Sequence, residues 1–504
     1  MFVEHPLIKK NALQVRDYQI EISKSALGQN TLIVIPTGMG KTNIALLIAA
    51  ERLNKNEGKI LFMAPTKPLV EQHKKSFEKL SEICDMEIIT GATKPESRAK
   101  LYKKAQVIFA TPQTIENDAK SQILKFDSFI LLVVDEAHRS VGNYAYTFIA
   151  ESYMRQAKNP LITALTASPG GRAARVEEIR KNLFIEKVEF RSEKDTDVSQ
   201  YVKSREINTI EISLPPDYIS AKALLENIIK TRSELLFKLG AVPTSKFSKK
   251  MLLDFQNFYM KKARETKNKS MFLAVSKIAE LIKLDYCLEL LETQGAFQAM
   301  EYIKKLRGEK TKASLNILSN PHFIAFDGKV KKLGEHPKME RLAEIAKKEA
   351  EGKIIIFTQY RATANEIFKK LGKVEGIRPV VLIGQKSGLS QKEQVRVIRD
   401  FEDGFYNVLL CTSIGEEGLD IKGVGTAIFY EPVPSEIRNI QRRGRVARLT
   451  QGRLYVLVAK GTRDEAYYWT AYHKEKKMGR ALMAESSERD LSGFLGDSKG
   501  KEEP

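Results

Sequence analysis

Cysteine is scarce in this chain: Cys84, Cys287 and Cys411 are the three in 504 residues, far apart and without a CxxC pair. That spacing indicates neither a paired-cysteine zinc site nor a disulfide framework, and a reducing compartment is the simplest reading. Long apolar runs are missing too. No stretch approaches the about 18 uninterrupted apolar residues of a membrane helix, and the opening MFVEHPLIKKNALQVRDYQ has no apolar core of a signal peptide. No membrane partner is expected. Acidic residues also fall short, with 63 Asp and Glu against 83 Lys and Arg. The excess favours polyanionic partners, because a basic surface gains by releasing counterions from phosphate backbones.

What is present is a repeated texture. Apolar runs at 31–36, 59–65, 86–90, 106–112, 129–136 and 160–168 alternate with helical stretches, and the pattern returns at 353–360, 378–384, 407–412, 426–432 and 452–459. The runs are rich in Val, Ile and Leu and nearly continuous, as strands buried on both faces of a parallel sheet read. Between the two regions apolar residues recur at helical spacing. Residues 217–333 carry 22 Lys and Arg against 12 Asp and Glu, half of the whole basic excess. The expected fold class is α/β: two parallel-sheet lobes with an all-helical domain inserted between them. The expected boundaries are 1–203 for the first lobe, 204–333 for the basic insert, 334–485 for the second lobe and 486–504 for a polar tail or linker.

Residues Pro36, Thr37, Gly38, Met39, Gly40, Lys41 and Thr42 lie directly after an apolar strand and before a helix, the context of a phosphate-binding loop. Gly38 and Gly40 let the backbone turn and aim N–H groups at phosphate oxygens. Lys41 can reach the outer phosphates and Thr42 can hold Mg²⁺. Ile35 stands where the strict pattern has its first glycine. At 131–138 an apolar strand ends in Asp135 and Glu136: one carboxylate can hold Mg²⁺ through water, the other can polarise an attacking water. ATP and Mg²⁺ are the expected cofactors. The basic run Gln441 to Arg448, between two buried-type strands, offers arginines for charge developing on a γ-phosphate.

Taken in order, these elements resemble a superfamily 2 helicase of the DEAH type, whose two lobes are RecA-like. Arg16-Asp17-Tyr18-Gln19 is similar to the upstream element whose glutamine reads adenine. Pro36–Thr42 resembles motif I, Ala64–Leu69 motif Ia, Thr111–Thr114 motif Ib, Asp135–His138 motif II, and Thr166–Ser168 motif III. Ile356–Tyr360 resembles motif IV, Thr412–Ile421 motif V and Gln441–Arg448 motif VI. The resemblance implies that Arg445 and Arg448 are arginine fingers beside Gln441. It puts Gly418 and Asp420 near the nucleotide, and it makes His138, Thr166 and Ser168 couple turnover to movement. It also implies a backbone-contacting track through Thr66, Lys67, Thr111, Gln359, Arg361 and Thr412. Such contacts hold phosphates without reading sequence.

The long insert is similar to that of the archaeal Hef and Fanconi anaemia group M family; RIG-I-like RNA sensors carry a related one. In the Hef family an XPF-type nuclease can follow. Its ERKxxxD signature does not occur here, the nearest string being Glu488-Arg489-Asp490, and such a domain would lie C-terminally in a longer protein. The expected partner is DNA, forked or junction DNA above all, with Lys249, Lys250, Lys261 and Lys262 gripping a duplex arm. In a prokaryote or archaeon the location would be cytoplasmic and nucleoid-associated. An RNA-directed ATPase of the RIG-I-like type stands as the alternative, and a non-catalytic nucleic-acid scaffold as a third reading.

Overall fold

The computed structural model describes residues 1–202, 205–383, 390–412, 421, 423–443 and 452–496. Seven strands form the first sheet: β1 (Thr31–Val34), β2 (Lys59–Met63), β3 (Met86–Ile89), β4 (Val107–Ala110), β5 (Phe129–Asp135), β6 (Ile162–Thr166) and β7 (Lys187–Phe190). Six form the second: β8 (Arg205–Ile212), β9 (Lys353–Phe357), β10 (Pro379–Leu382), β11 (Val408–Cys411), β12 (Val424–Phe429) and β13 (Gly452–Ala459). Both are parallel throughout, in the orders β3-β4-β2-β5-β6-β1-β7 and β10-β11-β9-β12-β13-β8. A parallel sheet needs crossover helices, and these cover both faces. Leu32 and Val34 therefore enter one core while Ile33 enters the other.

The insert is a bundle of six helices, Pro216–Lys238, Lys249–Thr266, Lys269–Thr293, Ala296–Gly308, Lys312–Leu318 and Pro321–Val330. Leu225, Leu284, Leu291, Phe323 and Phe326 fill its main core. A smaller core of Leu236, Val242, Leu252, Ile278 and Leu281 holds the hairpin made by the second and third helices.

Two boundaries differ from the sequence expectation. Arg205–Ile212, assigned to the insert, is an edge strand of the second sheet, in register with β13 from Arg205↔Gly452 to Ile212↔Ala459. It mixes charged, polar and apolar residues, as a strand at the edge of a sheet, paired on one side only, can. Both ends of the insert are thus rooted in the second lobe. The stretch from 486, expected as a polar tail, continues the helix Arg463–Gly496 to its end. Its start leans on the second sheet through Tyr468; farther along, Met478 and Leu482 complete the first lobe's core. The chain therefore crosses between lobes twice. Among the described residues no helix is long and apolar enough to cross a membrane.

Candidate nucleotide site and nucleic-acid track

The phosphate loop follows β1. Gly38 and Gly40 have φ of 86° and 80°, a region that costs a non-glycine residue strain. Gly40 caps the helix Lys41–Lys55, whose N-terminal N–H groups face the loop. Lys41 Nζ donates to the carbonyls of Ile35 and Pro36, at 3.1 and 3.3 Å. Gln19 is buried and braces the loop: its Nε2 donates to the Met39 carbonyl at 3.0 Å and to the Tyr18 hydroxyl at 3.1 Å. A Cβ on Gly40 would come within 2.3 Å of that nitrogen. Arg16 lies over the Tyr201 ring at 4.9 Å.

Asp135 ends β5 and is buried. Its Oδ2 is 2.9 Å from His73 Nε2, and His73 Nδ1 is 3.2 Å from Thr42 Oγ1. The two residues expected to hold Mg²⁺ are thus joined through one imidazole. A hydroxyl and a carboxylate are the hard oxygen donors that Mg²⁺ takes, one or two from protein and the rest from phosphate and water. The donor set fits the cation, and among the described residues no cluster of three or more His, Cys, Asp or Glu could hold a metal on its own. Glu136 sits at φ 51°, a left-handed conformation that places its carboxylate 3.3 Å from His138 Nδ1. His138 Nδ1 also lies 3.3 Å from Thr166 Oγ1. Thr166 Oγ1 donates to the Ser168 carbonyl and accepts from its N–H, at 3.0 and 3.1 Å.

From Ser168 the contacts run to the terminal helix, whose Met478 packs in the first lobe's core, and from nearby Gly171 to the second lobe. The Ser168 hydroxyl meets Met478 Sδ at 3.0 Å, and the Gly171 N–H donates to Glu436 Oε1 at 2.7 Å. Glu436 begins the helix Glu436–Arg443, which carries Gln441 and leads towards the expected arginine fingers. Arg445, Arg448, Gly418 and Asp420 lie outside the described residues. Arg442, on the same helix, is fully buried. It lies 5.5 Å over the rings of both Phe357 and Phe429 and donates to the Glu431 carbonyl. It anchors the helix to the sheet.

The expected track falls on strand ends and helix starts. Thr66 precedes the helix Lys67–Leu80 after β2, and Thr111 precedes the helix Pro112–Lys120 after β4. These strands are neighbours, so two helix N-termini, each with an early proline, stand side by side where phosphates bind well. Lys67 lies 3.6 Å from Glu71. Arg361 opens the helix Arg361–Leu371 after β9 and is exposed; Thr412 is buried at the end of β11. Gln359 donates its backbone N–H to Glu431 Oε1. Glu431 Oε2 accepts from Thr358 Oγ1 at 3.0 Å and from Gln294 Nε2, in the insert, at 3.4 Å. Gln294 Oε1 accepts from Thr363 Oγ1 at 2.8 Å. Burial pushes the Glu431 carboxyl up to about 7, with Arg442 and Lys338 pulling the other way.

The insert lysines divide. Lys249 is tied at the base of the hairpin, 3.1 Å from Glu289 and 5.2 Å over the Tyr286 ring; its position in the sequence run could not reveal that partner, 40 residues away. Lys250 and Lys261 are exposed, and Lys262 is exposed beside the Phe258 ring. Sequence reasoning missed His73, Glu431, Arg442 and Gln294. For His73 a signal existed: it occupies the buried stripe Leu69, Val70, His73, Phe77 of its helix, a polar residue on an apolar face.

Comparison with known proteins follows this layout. The chain matches the family model of the DEAD/DEAH box helicases over residues 16–176, and that of the helicase conserved C-terminal domain over 337–450. Between them, 217–332 match the helical bundle named for ATP-dependent RNA helicases. The crystal structure of the Hef helicase domain from Pyrococcus furiosus is similar at TM-score 0.72 and 42% identity, over 92% of this chain and 100% of that one. A Methanocaldococcus jannaschii protein named as an RNA helicase is 42% identical over 495 residues, 96% of this chain and 62% of the relative. The ATP-dependent DNA helicase mph1 of Neurospora crassa is 33% identical over 488 residues, 90% of this chain and 42% of the relative. The chain spans less than two thirds of these curated relatives.

Proposed function

Since the chain belongs to the superfamily 2 helicases of the Hef type, we propose that it is an ATP-driven motor that translocates on DNA and remodels forks and junctions. The observation that carries the reading is the attachment of the insert. Its Gln294 shares Glu431 with the backbone and hydroxyl of the motif IV segment, while its exposed Lys250, Lys261 and Lys262 project from a hairpin. A basic arm fastened to a track-contacting lobe suits a substrate with a second duplex arm.

The chemistry divides between the lobes. Lys41 holds the outer phosphates, Thr42 and Asp135 hold Mg²⁺, and Glu136 orients and deprotonates the attacking water. Bound Mg²⁺ neutralises phosphate charge. The arginine fingers that the family resemblance assigns, Arg445 and Arg448, belong to the second lobe's part of the sequence, so turnover would require the lobes to close. The path Glu136–His138–Thr166–Ser168 continues to Met478 and, through Gly171, to Glu436. It gives that closure a physical route. An RNA-directed ATPase is the second reading, favoured by the RNA name of the Methanocaldococcus jannaschii relative.

The test is ATP turnover and strand separation on single-stranded, duplex, forked and four-way DNA and on double-stranded RNA. Forked DNA is expected to stimulate turnover most, and Lys41→Ala to abolish it on every substrate. Strongest stimulation by RNA would overturn the DNA reading, and turnover surviving in Lys41→Ala would overturn the site. Reversing Lys250, Lys261 and Lys262 to Glu is expected to weaken fork binding and to lower the salt slope of log Kd by about 2–3, near 0.9 per lost phosphate contact, while leaving single-strand affinity in place. An unchanged slope would remove the arm from the interface.

A further inference from the structure

We propose that His73 is a positioning residue of the ATPase, setting Thr42 and Asp135 in the orientation in which they take a divalent cation. The proposal rests on the reading of those two residues as the cation holders. His73 reaches them from neither the phosphate loop nor the acidic strand but from the helix after β2, and it is 5% exposed. Its ring packs against Phe62 at a centroid distance of 4.5 Å, which limits its rotation.

The hydrogen-bond chemistry fixes the direction of each bond. The Asp135 carboxylate only accepts, so the ring nitrogen 2.9 Å away, Nε2, carries hydrogen. In the neutral ring Nδ1 is then an acceptor, and the Thr42 hydroxyl 3.2 Å away must donate to it. A hydroxyl can take a cation only through oxygen lone pairs, and a hydrogen turned towards the ion opposes binding. His73 draws that hydrogen to the other side. It also pins Asp135 by Oδ2 and leaves Oδ1 for the cation or its water. Groups behind metal ligands that fix their orientation in this way are worth about 10–100-fold in metal affinity.

A buried histidine can also serve merely to fill space beside Phe62. The two roles separate by substitution. His73→Phe keeps an aromatic ring on Phe62 and loses both bonds. His73→Gln keeps one donor and one acceptor on a flexible chain. The measurement is Mn²⁺ binding to the full chain in the presence of ADP, followed by electron paramagnetic resonance, alongside ADP affinity in EDTA. His73→Phe is expected to weaken Mn²⁺ binding about 10–100-fold with ADP affinity in EDTA unchanged, and His73→Gln to recover most of the loss. The Mg²⁺ concentration for half-maximal turnover should move in step. Mn²⁺ binding by His73→Phe within about threefold of the parent would overturn the proposal while leaving the cation reading intact. No ADP-dependent Mn²⁺ binding in the parent protein would overturn both. Nitrogen NMR of histidine-labelled parent protein checks the same bond pattern without any variant. The Nε2–H form of His73 is expected, and the Nδ1–H form would overturn the proposal.

Discussion

Glu136→Gln lowers the rate of ATP turnover by about 10²–10⁴-fold, the usual contribution of a positioned general base, while nucleotide affinity stays within a few-fold. The amide has nearly the shape of the carboxylate but cannot take a proton from water. Glu136 is held in an uncommon backbone conformation at φ 51°, which costs roughly 1–3 kcal/mol and aims the side chain towards His138 at 3.3 Å. Lys41 and Thr42, proposed to hold the outer phosphates and the cation, lie on a different element, the start of the helix Lys41–Lys55, which is why binding and turnover should part. Single-turnover kinetics with a fluorescent nucleotide measures both. Turnover within tenfold of the parent would remove Glu136 from the role of base.

Arg442→Ala destabilises the second lobe by about 3–5 kcal/mol, the usual cost of emptying the site of a large buried side chain. The guanidinium is fully buried between Phe357 and Phe429 and helps hold Glu431, whose carboxyl stands at about 7 against an ordinary 4.5. A carboxyl raised by folding contributes stability below its unfolded value and loses it as pH rises towards the folded one. Without Arg442 that folded value climbs further, so the loss on substitution should be larger at pH 8 than at pH 6. Denaturant melts at the two pH values measure the difference. An equal loss at both would mean that Glu431 does not sense Arg442.

Much of the motor was legible in sequence because its chemistry is local. Phosphate loop, acidic pair and strand ends each sit within a few residues, and buried parallel strands announce themselves as continuous apolar runs. β7 and β8 escaped that reading because KVEF and REINTIEI mix charge with apolar residues, whereas the other two edge strands, β3 and β10, are apolar enough to stand out as runs. The polar hub was hidden for another reason. Gln294 and Glu431 are 137 residues apart, and nothing in either neighbourhood marks the other. Lys249 belongs with them, since a lysine in a basic run gives no sign of a Glu289 waiting on the next helix.

The pairing of β8 with β13 bears on how the chain is made. β8 emerges from the ribosome with no neighbour, and its partner lies roughly 240 residues downstream. At about 5–20 residues per second the delay is on the order of 12–50 s. During that time the first lobe and the insert have their own strands and helices to fold with, whereas β8 waits for β13, the last strand of its sheet in chain order. Met478 and Leu482 arrive later still to cover the first lobe. A helix that follows both sheets in the chain thus seals the first of them, and a chain stopped short of it would leave the first lobe's core open at Met478 and Leu482.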